Sequence, residues 1–500
     1  MSDSSRDTAE GAGWGTAERG EYQRLMPSKV EKISWLNPKT LWAARNGVVA
    51  SWFGDPTGRI RSRWVAQRAA AGAPADKVIR RDDPDEFSFM VIGDTGEGDD
   101  PQYAVVPGFL KTGQDTRFAV IASDVIYPVG SADDYGTKFF RPYQDYRAPI
   151  YAIPGNHDWY EDLGAFMRVF CDDAPPLTPE PTPRPLTKAW LRSFLWHRPH
   201  PHDGHRLDQE RELRGSAAQR AVQPGPYWAV DAGPVRIIGI DTGLLGTLDA
   251  EQGAWLREVS QGPRPKLLIT GSPLYVDGEH HPCPMEGGGT VDDIVRDPDH
   301  HYVAAIGGDI HNYQRYPVRV GDRTLQYVVS GGGGAFMHAT HTIPRISVGG
   351  VTEKDFRCYP LRGDSLAFYS RLYGRRLRLR RFFTLTEAEA TAVIAERLGI
   401  SATRAPGGVV RVTARTRLVA SLLGAGGRPD RTSRFRLPVR KIYTQLFSPS
   451  SATYSPPFFK CFLRLDVTPE AIRLRCYAAT GNRAQEMEPP IEDEVTIPLA

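Results

Sequence analysis

Phe87-Ser88-Phe89-Met90-Val91-Ile92-Gly93-Asp94-Thr95-Gly96 decides how the rest of the chain is read. A short, largely apolar run passes straight into glycine and a carboxylate, the texture of a buried strand that ends in a polar turn. Alone, Gly-Asp-x-Gly is ordinarily just a turn. The same texture then returns along the chain. Phe118–Ile121 leads to Ser123-Asp124, Ile150–Ile153 to Gly155-Asn156-His157, and Val235–Ile240 to Asp241. Leu267–Thr270 meets Gly271, Tyr302–Ile306 meets Gly307-Gly308-Asp309, and Leu325–Val329 precedes Gly331. In α/β sheets ligands sit at the carboxyl ends of strands, so polar residues repeated at those ends predict one shared site.

The 500 residues, 40% hydrophobic and 10% aromatic, suffice for a sizeable core. They would fill one large domain with insertions, or two or three ordinary ones. No apolar run approaches the ~20 residues of a membrane span. Met1–Gly20 is polar, without the basic and apolar regions of a secretory signal, so a cytoplasmic location is expected. Five cysteines without a Cys-x-x-Cys pair suit free thiols in a reducing compartment. A net charge of +3 demands no nucleic-acid partner.

The chain divides by texture. Residues 1–35 are Ser-, Gly- and acid-rich and are expected to lack fixed structure. Residues 36–80 read as helical, with Leu41, Val48 and Trp52 on one face, a break at Gly54-Asp55-Pro56, and resumption at Ile60 and Trp64. A helical hairpin packed on the main domain is the favoured reading; a membrane-surface helix is the lesser one. Residues 87–344 hold the strand runs, with 172–226 as a long Pro-, Arg- and His-rich loop on the substrate side. Residues 345–455 form an insertion, with the basic run Arg371–Arg381 and a helix from the capping box Thr386–Glu389 to Gly399. Residues 456–500 supply closing strands, Phe459–Leu465 and Ile472–Ala478, that return to the main sheet.

Hydrolysis of a phosphate ester needs an activated water, neutralised phosphoryl oxygens and a proton for the leaving group. Two metal ions sharing a bridging carboxylate supply the first two. Candidate ligands stand at strand ends: Asp94, Asp124, Asn156, His157, Asp309 and His311. It is the ordered set, rather than any one member, that argues against chance turns.

The series Gly93-Asp94-Thr95-Gly96, Ser123-Asp124-Val125-Ile126-Tyr127, Gly155-Asn156-His157-Asp158, Gly308-Asp309-Ile310-His311 resembles the calcineurin-like metallophosphoesterases. It is most similar to their purple-acid-phosphatase-like branch, whose pattern runs Gly-Asp-x-Gly, Gly-Asp-x-x-Tyr, Gly-Asn-His-(Asp/Glu), Val-x-x-His, Gly-His-x-His. The resemblance covers residues 87–340 and resumes at 456–490. It implies an α/β (α+β) four-layer fold, a two-sheet β-sandwich flanked by helices, with 345–455 as a cap. It implies a first metal, iron, held by Asp94, Asp124, Tyr127 and His311. Whether Tyr127 is a phenolate ligand or merely packs against Pro128 stays open. A second metal would be held by Asp124 as bridge, Asn156 and Asp309. His157 would be the general acid, oriented by Asp158.

Two positions depart from the pattern. Gly271 stands where the family has a histidine, and Asp309 replaces the first histidine of the last motif. A Gly-Asp-x-His version occurs in phosphodiesterase-type alkaline phosphatases, so Asp309 remains a ligand candidate. Oxygen donors suit Mn²⁺, Ca²⁺ or Mg²⁺ better than Zn²⁺ at the second site. His280, His281, His200, His202 and His205 are weak substitutes for the absent imidazole; His338 and His341 would be near enough in the resembling fold to touch substrate, with ordinary surface histidines the favoured reading.

The expected activity is therefore hydrolysis of a phosphate mono- or diester by in-line attack of a metal-bound hydroxide. The alternative is a degenerate phosphoesterase that binds a phosphorylated ligand or partner without turnover. Membrane contact through Leu41–Trp64 and Arg371–Arg381 is the minor reading, because a basic run is usually a solvated face.

Overall fold

The computed structural model describes residues 18–28, 33, 35, 37–172, 174–181, 183–199, 204–400, 410–425, 437 and 456–499. The first strands are β1 (Val78–Arg80), β2 (Phe87–Ile92), β3 (Ala119–Ala122), β4 (Ile150–Ile153), β5 (Trp228–Ala232), β6 (Val235–Ile240) and β7 (Lys266–Thr270). The short hairpin β8 (Tyr275–Val276) and β9 (Glu279–His280) follows, then β10 (Tyr302–Gly307), β11 (Tyr313–Val320) and β12 (Arg323–Ser330). A second hairpin, β13 (Ser347–Val348) and β14 (Val351–Thr352), precedes β15 (Arg357–Tyr359). The chain closes with β16 (Lys460–Val467), β17 (Ala471–Ala479) and β18 (Ile491–Pro498).

Two large sheets result. One has the order β1-β5-β6-β7-β10-β12-β11-β15, the other β18-β17-β16-β2-β3-β4. Strand alternation sorts each side chain to one of two cores. Phe87, Phe89 and Val91 of β2 face inward and share a cluster with Trp228, Val235, Ile237, Leu267, Ile269 and Val328 of the other sheet. Met90 and Ile92 point the opposite way, onto Val105 and Phe109 of the helix Asp100–Thr112. Ile238, Ile240 and Leu268 likewise back onto Leu256 of the helix Ala250–Val259 and Val291 of the helix Val291–Arg296. Helices, sheet, sheet and helices make four layers of mixed α/β architecture.

The parallel pairs align the strand ends. β2 runs parallel to β3, and β3 to β4; β7 runs parallel to β6 and β10, and β10 to β12. The carboxyl ends of each set therefore lie along one edge of its sheet.

Several expectations change. Residues 18–28 are ordered: Arg19 bridges to Asn482, and Tyr22 is fully buried against Tyr103 and Phe458. Residues 1–17 lie outside the described residues. Helices do occupy Pro38–Ala43, Asn46–Phe53 and Thr57–Ala70. Their buried face, however, is Asn46, Val49, Ala50, Ile60, Arg61, Trp64 and Val65, while Leu41, Val48 and Trp52 are exposed. Within 204–219, Arg206 reaches the Asp133 carbonyl in the segment that follows β3. Arg214 and Gln219 bind carbonyls of residues 143–148, which lead into the amino end of β4. The insertion is continuous with the main core, because Leu366, Tyr373, Phe383, Leu385 and Val393 join the cluster between the sheets, and β15 pairs with β11. Its helix Glu387–Leu398 has the expected Thr386–Glu389 capping box and ends at Gly399 with φ 62°. Much of 401–455 lies outside the described residues.

Candidate functional site

Asp94 follows β2, Asp124 follows β3, Asn156 and His157 follow β4, and Asp309 follows β10. Three of the residues on this edge sit in the left-handed region: Asp94 (φ 57°), Ser123 (φ 92°) and Asp309 (φ 64°). Each costs of order 1 kcal/mol of backbone strain, a cost found mainly where a turn must aim a side chain. The sheets meet here backbone to backbone. A Cβ on Gly308 would stand 1.9 Å from Ala122 O, and one on Gly155 would stand 2.1 Å from Asp124 Oδ1, so only glycine fits at either position.

The Tyr127 hydroxyl lies 2.9 Å from Asp124 Oδ2, 3.1 Å from Asp94 Oδ1 and 3.0 Å from His311 Nε2. All four side chains are buried. His311 Nδ1 lies 2.6 Å from Phe336 O. A carbonyl only accepts, so Nδ1 carries the proton and Nε2 offers its lone pair to the cluster. The ring lies flat on His338, centroids 4.3 Å apart, and the His311 N–H donates to His338 Nδ1 at 3.0 Å. Burial foremost, and then the neighbouring His338 and Lys460, hold the His311 pKa well below the usual imidazole range.

Asp124 is the centre of the carboxylates. Its Oδ2 accepts from Tyr127, and its Oδ1 from the His157 N–H at 2.8 Å. The Asp309 N–H bonds the Asp94 carboxylate, and the Asp309 charge acts on both Asp94 and Asp124. Burial and the charges of Asp124 and Asp309 push the Asp94 carboxyl well above its usual range. Asn156 Nδ2 donates to Tyr160 Oη at 3.1 Å.

The donors are of the types that hold a cation. An octahedral ion with bonds of about 2.1 Å places neighbouring ligand atoms about 3.0 Å apart, which is the spacing around the Tyr127 hydroxyl. The imidazole is held through its other nitrogen by a carbonyl, as metal-bound histidines are. Asp94 Oδ2 is buried without a hydrogen-bond partner, and clustered carboxylates in a dry pocket call for positive charge. Among the described residues no three His, Cys, Asp or Glu side chains by themselves make a group of metal-holding size. The phenol of Tyr127 is what joins two carboxylates and an imidazole.

His157 is held differently from the sequence expectation. Its Nδ1 lies 2.7 Å from Pro128 O, so that carbonyl orients the ring. Asp158 does not pair with it. The Asp158 carboxylate accepts the N–H groups of Val125 and Gly155, each at 3.0 Å, and that of Ile126 at 3.3 Å. It ties the turn after β3 to the turn after β4.

His338 stands at the site. His341 does not: it is fully buried, bonded to Ser365 Oγ at 2.8 Å and to Leu423 O at 3.0 Å. His280 pairs with Asp292 at 2.7 Å, His281 and His205 are exposed, and His200 and His202 lie outside the described residues. Nothing in the residue pattern marks Trp35. Its ring meets His157 edge-on at 5.4 Å, with Phe336 at 6.4 Å, and its indole N–H reaches Glu97 at 3.5 Å. The Pro128 and Phe336 carbonyls were equally invisible, since a backbone group leaves no residue-type signal.

No family model matches the chain, and no curated protein does. Solved structures give distant likenesses, among them calcineurin-like metallophosphoesterases. The purple acid phosphatase PPD1 from yellow lupin (Lupinus luteus) seeds aligns over 83% of this chain and 54% of its own, at 10% identity and a TM-score of 0.37. PhoD aligns over 82% of this chain and 68% of its own, at 9% identity and a TM-score of 0.33. GAP50, the anchor in the inner membrane complex of Plasmodium, aligns over 55% of this chain and 80% of its own, at 12% identity and a TM-score of 0.32. The chain spans about half the length of the lupin protein.

Proposed function

We propose that this chain is a metal-dependent phosphoesterase acting on a phosphate mono- or diester. The observation that carries the reading is the Tyr127 hydroxyl within 3.1 Å of Asp94, Asp124 and His311 at the joint carboxyl edge of two sheets. Asp94, Asp124, Tyr127 and His311 would hold one cation, with iron favoured by the phenol. Asp124, Asn156 and Asp309 would hold a second, drawn from Mn²⁺, Ca²⁺, Mg²⁺ or Zn²⁺, with the oxygen-preferring ions ahead. Cations at such a pair supply charge neutralisation for phosphoryl oxygens and a more acidic water.

The chain's own groups do the rest. Pro128 O keeps the His157 Nδ1 proton in place, so a proton for the departing oxygen would have to come from Nε2. Trp35, Tyr127 and Tyr160 wall that ring at 5.4, 4.4 and 5.0 Å and restrict water around it. Asp158 holds the His157 and Asp124 turns in register through its backbone bonds.

Elemental analysis of the purified protein, with hydrolysis of an aryl phosphate monoester and diester, tests the reading. Bound metal with turnover that disappears in Asp124→Asn is expected; no turnover with any divalent ion overturns it. One observation favours the second reading, a phosphoesterase fold that binds without turnover: Gly271 leaves the second set without an imidazole.

A further inference from the structure

Residues 375–382, Arg-Arg-Leu-Arg-Leu-Arg-Arg-Phe, are exposed without interruption. Five arginines are interleaved with Leu377 (44% exposed), Leu379 (53%) and Phe382 (36%). This is not a frayed stretch. Tyr373 and Gly374 are buried before it, and Phe383 and Leu385 after it, the three large side chains within the core between the sheets. The helix Arg362–Arg376 ends inside the segment, Arg378 turns at φ 56°, and the short helix Arg380–Phe383 begins the return. Arg415 pins that return, donating to the carbonyls of Phe382 and Thr384, each at 3.0 Å. The turn is therefore a fixed projection.

The charge of Arg378, Arg380 and Arg381 is not spent locally. The neighbouring acids Glu387 and Glu389 are paired with Arg371 and Arg415, at 2.6 and 2.7 Å. Arg378, Arg380 and Arg381 have no recorded ion pair among the described residues. A solvated charged face would need no leucines. Apolar side chains set between guanidinium groups match a surface that is anionic outside and hydrocarbon just beneath.

We propose that the 375–382 turn docks on the surface of an anionic lipid bilayer. Arg378, Arg380 and Arg381 lie against phosphate and carboxylate headgroups, and Leu377, Leu379 and Phe382 enter the acyl boundary. A nucleic acid would take the arginines but leave the three apolar side chains in water, which is why the bilayer is the better partner. The inference does not depend on the phosphoesterase reading.

The test is co-sedimentation of the full chain with phosphatidylcholine vesicles, with and without phosphatidylserine. Binding is expected only with phosphatidylserine. Each basic residue near an anionic surface strengthens binding about fivefold, so Arg378→Gln/Arg380→Gln/Arg381→Gln should weaken it roughly hundredfold. Leu377→Ser/Leu379→Ser/Phe382→Ser should also release the protein while keeping every charge. All six positions are exposed, so both variants fold, and unchanged circular dichroism confirms it. Equal binding to both vesicle types, or to neither, overturns the proposal. So does undiminished binding by the serine variant, or binding to duplex RNA in place of vesicles, which would make the turn a nucleic-acid surface.

Discussion

The Thr242 hydroxyl stands 2.7 Å from where a Cβ on Gly271 would lie, with Pro154 O at 3.4 Å. Gly271 is not among the glycines with positive φ, so its backbone would accept a side chain and only this neighbour forbids one. Gly271→His alone should lower the melting temperature without gaining metal. Thr242→Ala/Gly271→His should clear the space, and a second cation held by Asp124, Asn156 and Asp309 would then bind tighter with preference shifted toward Zn²⁺ or Fe²⁺. Competition titration against Mn²⁺ measures this, and an unchanged preference in the double variant would show that position 271 does not face the cation.

Tyr127→Phe removes the one hydroxyl shared by Asp94, Asp124 and His311. Iron-loaded wild type should absorb in the visible through phenolate charge transfer, and the variant should lose that band. A band that survives the substitution would assign it elsewhere.

Asp124→Asn and His157→Ala should fail in different ways. The first weakens both sets of ligands, so bound metal falls along with turnover. The second removes a proton donor and should slow turnover by about 10²–10⁴ with metal content retained. Metal lost in His157→Ala would make His157 a ligand instead.

Arg61 is buried under Trp159, donates to Asp241 Oδ2 at 2.7 Å, and also pairs with Asp249. Arg61→Met strands the Asp241 charge and should cost about 3–5 kcal/mol. Denaturant unfolding reads it, and a loss under about 1 kcal/mol would mean the helix Thr57–Ala70 is not anchored there.

Chelation should lower the melting temperature, because a cation that binds only the folded state adds about 2.7 kcal/mol at a hundredfold excess over its Kd. The buried carboxylates Asp94 and Asp124 are where that stabilisation is felt. A melting curve indifferent to both chelator and Mn²⁺ would argue for a site that takes no metal.

What the sequence made legible follows from what chemistry each feature uses. β2, β4 and β6 were readable because apolar runs ended at glycine or a carboxylate. β18, Ile491–Pro498, was not, because an exposed edge strand carries Glu492, Asp493 and Glu494 and hides its period. Helices do lie inside the span 36–80, but it ends in β1, and their orientation is not legible, since Trp52 looks like core and is 72% exposed. At the site, Asp94, Asp124, Tyr127 and His311 were named from the chain and are brought into contact through the Tyr127 hydroxyl. The partner of His157 was misread. Adjacency in sequence suggested Asp158, but that carboxylate is committed to backbone N–H groups and a proline carbonyl does the orienting.

The pairing of β2 with β16 sets a timetable for biosynthesis. Val91 lies opposite Leu463, some 370 residues further along the chain. At about 5–20 residues per second, a ribosome needs roughly 20–70 s to deliver the second strand after the first. Through that interval β2 carries Asp94 with one flank unpaired, an apolar edge of the sort that recruits other nascent chains. The carboxylates at its end gain their final surroundings only when the last strands arrive. Nascent chains halted before residue 456 should therefore engage chaperones or aggregate, and assembly of the candidate site should be among the last events of synthesis.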